Sequence, residues 1–134
     1  MTVIQKEQAL SRPRFKTTEE LGGPKSGEVL CTLAELEACE ALPFTFGEGT
    51  RKVEIFVMFH GGDVVAYVNA CPHFNISLNY REPKFLNSSG DRFLCINHYA
   101  QFRIDNGYCD EGVCEGHWLT PVAIRVEDGR VLAG

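Results

Sequence analysis

The chain is 134 residues long, which predicts one domain with a sizeable core. Its 44% hydrophobic and 23% charged residues are those of an ordinary water-soluble globular protein. The net charge of −5 argues against nucleic acid as a partner. The longest apolar run, Ile55-Phe56-Val57-Met58-Phe59, is too short to cross a bilayer, so no membrane partner is expected. Residues 1–26 hold five Lys/Arg against three Asp/Glu, a net of +2, so the remainder carries −7 and suits a partner with a basic docking patch.

The start, Met1-Thr2-Val3-Ile4-Gln5-Lys6, lacks the apolar core of a secretory signal, and a cytoplasmic location is expected. The six Cys are then expected as reduced thiols rather than as three disulfides. Residues 1–26 contain Pro13, Gly22, Gly23 and Pro24 with no clear period, and are expected as a flexible or loosely docked arm before a domain of residues 27–134. Glu28-Val29-Leu30-Cys31 reads as a first strand. Thr32 and Glu35 have capping-box spacing, which predicts a short helix ending near Cys39. Cys31 and Cys39 have no Cys or His partner nearby and read as small buried or half-buried side chains.

Leu42-Pro43-Phe44-Thr45-Phe46 and the run from Lys52 to Phe59 are strand-like, with Gly47-Glu48-Gly49 turning between them. Gly61-Gly62-Asp63 then forms the tip of a hairpin whose second arm is Val64-Val65-Ala66-Tyr67-Val68. His60 beside that tip reads as solvent-facing. Leu78 is expected to pack beneath the segment that follows Val68. Residues 79–90 are polar, with Pro83 and Ser88-Ser89-Gly90, and read as a surface excursion.

Arg92-Phe93-Leu94 reads as a strand, and Gln101-Phe102-Arg103-Ile104 as another that turns at Asp105-Asn106-Gly107 into Tyr108. Asp110 to Gly116 is an acidic loop. Pro121 to Val126 alternates, turns at Glu127-Asp128-Gly129, and pairs back through Arg130-Val131-Leu132. Many short strands and one short helix predict an all-β fold.

Two of these strands lead into the candidate site. Val68 leads into Cys71-Pro72-His73, and Leu94 into Cys95-Ile96-Asn97-His98, with 21 residues between His73 and Cys95. Thiolate and neutral imidazole suit zinc or an iron–sulfur cluster. In a Cys-x-His segment the two side chains are too close in sequence to spread easily around one tetrahedral ion. Each can reach a different metal of a binuclear cluster. Two such segments face to face give one iron two thiolates and the other two imidazoles, the donor set of a Rieske [2Fe–2S] centre.

On these residues the chain resembles the Rieske-type iron–sulfur proteins, and most of all the small soluble Rieske ferredoxins. Cys71, His73, Cys95 and His98 match the four ligands in order, and Ala100, Phe102, Gly107 and the closing Leu119-Thr120-Pro121-Val122 follow as in that family. The family's covering loop usually carries Gly-Pro, where this chain has Gly112-Val113.

The resemblance implies an antiparallel β-sandwich or barrel base bearing a small cluster-binding β subdomain at about residues 69–117. It implies one [2Fe–2S] cluster per chain, with Cys71 and Cys95 on the inner iron and His73 and His98 on the outer one. It implies a non-enzymatic electron-transport component, a ferredoxin that takes an electron from a reductase and gives it to an oxygenase. Phe74, Tyr99 and Phe102 would shield the cluster, and Cys109, Cys114 and His117 would lie in the loop passing over it. Cys109 and Cys114 could instead pair as a disulfide or a second metal pair, though the four-ligand pattern requires neither. High-potential relatives carry a disulfide between the ligand loops at the positions of Ile76 and Asn97, and a Ser at the position of Ala100. None of these is present here. Two further readings compete: a zinc-stabilised interaction module using the same four residues, and an accessory subunit of a larger reductase.

Overall fold

The computed structural model describes residues 13–39, 41–70, 78, 86–95, 100–112 and 114–134. Among them nine strands form three antiparallel sheets of three strands each. β1 (Val29–Thr32), β8 (Ile124–Glu127) and β9 (Arg130–Ala133) form one sheet, ordered β1-β9-β8. β2 (Leu42–Phe46), β3 (Val53–His60) and β4 (Asp63–Val68) form the central one, in chain order. β5 (Arg92–Leu94), β6 (Gln101–Arg103) and β7 (Cys109–Glu111) form the small one.

β3 is the middle strand of the central sheet, and both its faces are covered. Ile55 and Val57 face a core with Cys31, Leu36, Ala66, Val122 and Val131. Phe56 and Met58 face a second core that belongs to the small sheet. This explains the unbroken apolar run noted above: a strand buried on both sides has no polar face to alternate with. Pro43, which has no N–H to give a ladder, lies on β2 at the sheet's edge. At the tip of the β3–β4 hairpin, Gly61 and Gly62 have φ of 59° and 87°, the positive pair that a type I′ turn demands.

The helix α1 (Leu33–Glu37) starts where the sequence placed it. The Thr32 side chain accepts from the Glu35 N–H at 3.1 Å, and the Glu35 carboxylate accepts from the Thr32 N–H at 2.9 Å. It stops at Glu37, two residues short of the expected Cys39, because Leu36 is its one buried residue and nothing apolar holds a further turn. Of the expected arm, residues 13–26 are described, and Lys16 among them is bonded to the domain. The Lys16 N–H donates to the Pro121 carbonyl at 2.9 Å, and the Lys16 carbonyl accepts from Ala123 N–H at 2.8 Å. Thr18 is fully buried, and its hydroxyl donates to the Pro24 carbonyl at 2.5 Å. The Lys16 bonds follow from backbone pairing that no side-chain pattern advertises.

Tyr67 on β4 joins the central sheet to the small one. Its phenol donates to the Ile104 carbonyl at 2.7 Å, just past the end of β6. Its ring meets Phe93 of β5 edge-on at 5.6 Å, and Phe93 in turn meets Phe56 edge-on at 4.9 Å. Gly107 lies against the same ring, with φ of 78° and its would-be Cβ 2.9 Å from Tyr67 Cε1. Any side chain there would strike the ring as well as strain the backbone.

Tyr67→Phe removes a buried hydrogen bond while keeping the ring contacts. It should lower the unfolding free energy in urea by about 1–3 kcal/mol. An unchanged transition midpoint would show that the Ile104 bond contributes nothing to holding the two sheets together.

Candidate metal centre

Of the four expected ligands the structure describes Cys95. Cys71, His73 and His98 lie outside the described residues, as do Phe74, Ile76, Asn97 and Tyr99. What the structure describes is how the ends of each ligand segment are held.

The second segment is the tip of the β5–β6 hairpin. Phe93 pairs with Phe102 and Leu94 with Gln101, and the Cys95 N–H donates to the Ala100 carbonyl at 2.9 Å. The two ends of the stretch 95–100, which includes His98, are thereby tied together. Cys95 and Ala100 are fully buried, in the same core as Phe93 and Phe102. Side chains two apart on a strand share a face, so the inward aromatic at 93 leads to an inward thiol at 95.

The first segment is tied by a residue that sequence reasoning passed over. Asn69 follows the end of β4 and is 5% exposed. Its N–H donates to the Glu54 carbonyl on β3 at 2.8 Å. Its side-chain Oδ1 accepts from the Leu78 N–H at 2.8 Å, nine residues on. Leu78 is fully buried among Phe93, Cys95 and Phe102, as expected of a residue packing beneath the segment. The available signal was a polar residue between the end of an apolar strand and a Cys-x-His pair, too slight to read alone.

The covering segment begins as β7, so the first two residues of the expected acidic loop, Asp110 and Glu111, belong to a strand. Pairing with β6 shifts register between Gln101 and Phe102, as at a β-bulge. Gly112 then touches Ala100. Its φ is 100°, and a Cβ there would lie 2.7 Å from Ala100 Cα. Beyond it the chain closes on itself. Glu115 N–H donates to the Gly112 carbonyl, His117 N–H to the Cys114 carbonyl, Gly116 N–H to the Cys109 carbonyl and Cys109 N–H to the His117 carbonyl, at 2.8 to 3.1 Å.

Cys109 and Cys114 are fully buried in the core that holds Cys95, and the Cys109 thiol donates to the Glu111 carbonyl at 3.2 Å. His117 is half-buried, and Trp118 meets Tyr108 edge-on at 4.9 Å. Cys31 is far from this arrangement in the fold, in the other core. Burial, reinforced by Glu35 and Cys39, pushes its thiol up to about 11, so it is neutral at physiological pH. Cys39 is exposed rather than half-buried, and its thiol donates to the Glu35 carbonyl at the end of α1. His60 ends β3 in solvent.

The family model of the Rieske [2Fe-2S] domain matches residues 28–124. Among solved structures, the chain is similar to the terminal oxygenase of carbazole 1,9a-dioxygenase from Novosphingobium sp. KA1, at 24% identity and a TM-score of 0.59, covering 85% of this chain and 31% of that one. It is similar to Sphingomonas yanoikuyae B1 ferredoxin at 20% identity and a TM-score of 0.58, covering 81% of this chain and 97% of that one. It is similar to the ferredoxin of carbazole 1,9a-dioxygenase from Nocardioides aromaticivorans IC177 at 19% identity and a TM-score of 0.58, covering 83% of this chain and 98% of that one. The chain thus spans about a third of the oxygenase's length and nearly the whole of the two ferredoxins. No curated protein sequence matches it. Among the described residues no helix is long and apolar enough to cross a membrane.

Gly112→Ala should separate the covering segment from the ligand hairpin, because the added methyl meets backbone and the left-handed φ penalises it independently. The expected cost is about 1–3 kcal/mol of stability. Amide exchange locates it: the Cys95 N–H should exchange faster, while β9 amides keep their rates relative to global unfolding. Equal acceleration everywhere would contradict a local role for the contact.

Proposed function

Because the chain belongs to the Rieske [2Fe–2S] domain family, we propose that it is a soluble, cytoplasmic one-electron carrier that takes electrons from a reductase and delivers them to a terminal oxygenase. The observation that carries this reading is coverage. The chain accounts for nearly all of two ferredoxins but only about a third of an oxygenase. In this reading residues 27–134 are the Rieske domain, 69–117 its cluster-binding part, and 1–26 an arm.

The residues fit the group. Two stretches whose ends are tied, Asn69 to Leu78 and Cys95 to Ala100, each contain one Cys and one His in sequence. Cys71 and Cys95 would supply thiolates to one iron, and His73 and His98 imidazoles to the other. When bound, such a cluster supplies reversible one-electron chemistry. The rest is done by the chain. The buried setting of Cys95 keeps water from that thiolate, the β5–β6 ladder fixes where it points, and Gly112 brings the covering backbone against the hairpin.

Iron and acid-labile sulfide should each count two per chain, and the dithionite-reduced protein should give a Rieske-type EPR signal. Colourless protein with one zinc would overturn this reading in favour of the interaction module. A large subunit copurifying with the chain would favour the accessory-subunit role.

Ala at Cys71, His73, Cys95 or His98 should abolish or badly destabilise the cluster. Replacing Cys109 and Cys114 together by Ser should leave iron content and colour nearly unchanged, and loss of the cluster in that variant would overturn the ligand assignment.

The midpoint potential should fall near the low end of the Rieske range of roughly −150 to +300 mV, because Ala100 cannot donate to a cluster sulfur and the inter-loop disulfide positions are Ile76 and Asn97. Ala100→Ser should raise it. A wild-type midpoint above about +100 mV in redox titration would contradict delivery to an oxygenase and favour oxidation of a quinol-like donor.

A further inference from the structure

We propose that Asn69 is the positioning residue for the first ligand pair, holding the Cys71–His73 segment in register with the Cys95–His98 hairpin through its side-chain bond to Leu78. This deepens the reading given above and rests on it. Among the described residues Thr18 and Asn69 are buried polar side chains, in addition to the phenol of Tyr67. A buried amide oxygen is retained where it has a bond to make. Here the bond spans nine residues and brackets the segment that contains two proposed ligands.

Three contacts make the bracket rigid. The Asn69 N–H is bonded to Glu54 on β3, so the residue is fixed to the central sheet without help from its side chain. The Val68 N–H is bonded to the Thr120 carbonyl, which pins the preceding residue from the other side. Leu78, the far end of the bracket, is fully buried in the core that contains Cys95 and Ala100. Whatever path the intervening residues take, one end is anchored to β3 and the other to the core of the second ligand segment. The Asn69 Oδ1 to Leu78 N–H bond, at 2.8 Å, couples the two. Removing that oxygen leaves the backbone bonds intact and frees the bracket. Groups that orient metal ligands from behind influence metal retention strongly for their size.

The test compares three variants of the full chain with the wild type, by iron release to a chelator, by EPR g values of the reduced protein, and by Tm. Asn69→Ala loses the acceptor and should release iron about 10-fold faster or more, with shifted g values. Asn69→Asp keeps an acceptor oxygen whether ionised or neutral, and should release iron at the wild-type rate. Thr18→Val removes a different hydrogen bond of a buried side chain, made within residues 18–24, and should lower Tm without speeding iron release. Wild-type release and g values in Asn69→Ala would overturn the proposal, and so would equal acceleration by Thr18→Val, which would mean that global stability alone is being read. If Asn69→Ala does not accumulate as folded protein, Asn69→Asp decides: wild-type retention of iron supports the bracket, and rapid loss overturns it. A wild type that holds no iron and sulfide would defeat the Rieske reading itself, and this inference with it.

Discussion

The ligand segments are placed by the packing of the small sheet against the face of β3 and β4 that presents Phe56, Met58 and Tyr67. Phe93 touches both Phe56 and Tyr67 edge-on, a geometry that adds about 0.5–1.5 kcal/mol per pair beyond the area buried. Phe93 lies two residues before Cys95, and Tyr67 two before Asn69. Each strand therefore carries its aromatic anchor one step ahead of the residue that begins or bears a ligand segment. The placing of Asn69 relative to Cys95 is inherited from a contact between rings, because a close-packed interior transmits position with little slack.

That arrangement requires β3 to be buried on both faces, and it divides the interior in two. One core, with Ile55, Val57, Leu36 and Val131, stabilises the base. The other, with Phe56, Phe93 and Leu119, stabilises the small sheet and includes three of the five described cysteines. Cys109 and Cys114 sit in this second core as small buried side chains beside the hairpin, which accounts for their position in the covering segment without giving them a place among the ligands. The Tyr67 bond to Ile104 and the contact of its ring with Gly107 tie the second core to the turn that follows β6.

Much of this was readable in the chain. The limits of β2 are those of the run Leu42 to Phe46, and the capping box at Thr32 and Glu35 forms with both bonds in place. The hairpin tips at Gly61-Gly62 and Asn106-Gly107 stand where the turn residues stand, because positive φ is a local demand that Gly meets locally. The docking of Lys16 and the strand character of Asp110 and Glu111 were not readable. They depend on backbone groups finding partners on distant segments, and backbone groups are the same at every residue.

The candidate site divides in the same way. Sequence by itself pointed to the donor set, since thiolate and imidazole suit an iron–sulfur cluster or zinc and the chain offers two Cys/His pairs at close spacing. It also determined that strands deliver both pairs, through the apolar runs before Cys71 and Cys95. Only the tertiary structure decided that Asn69 reaches Leu78 and that Gly112 lies on Ala100. A single buried amide and a single close backbone approach have no periodicity and no required residue type. They become visible only when residues 9 and 12 positions apart are brought together by the fold.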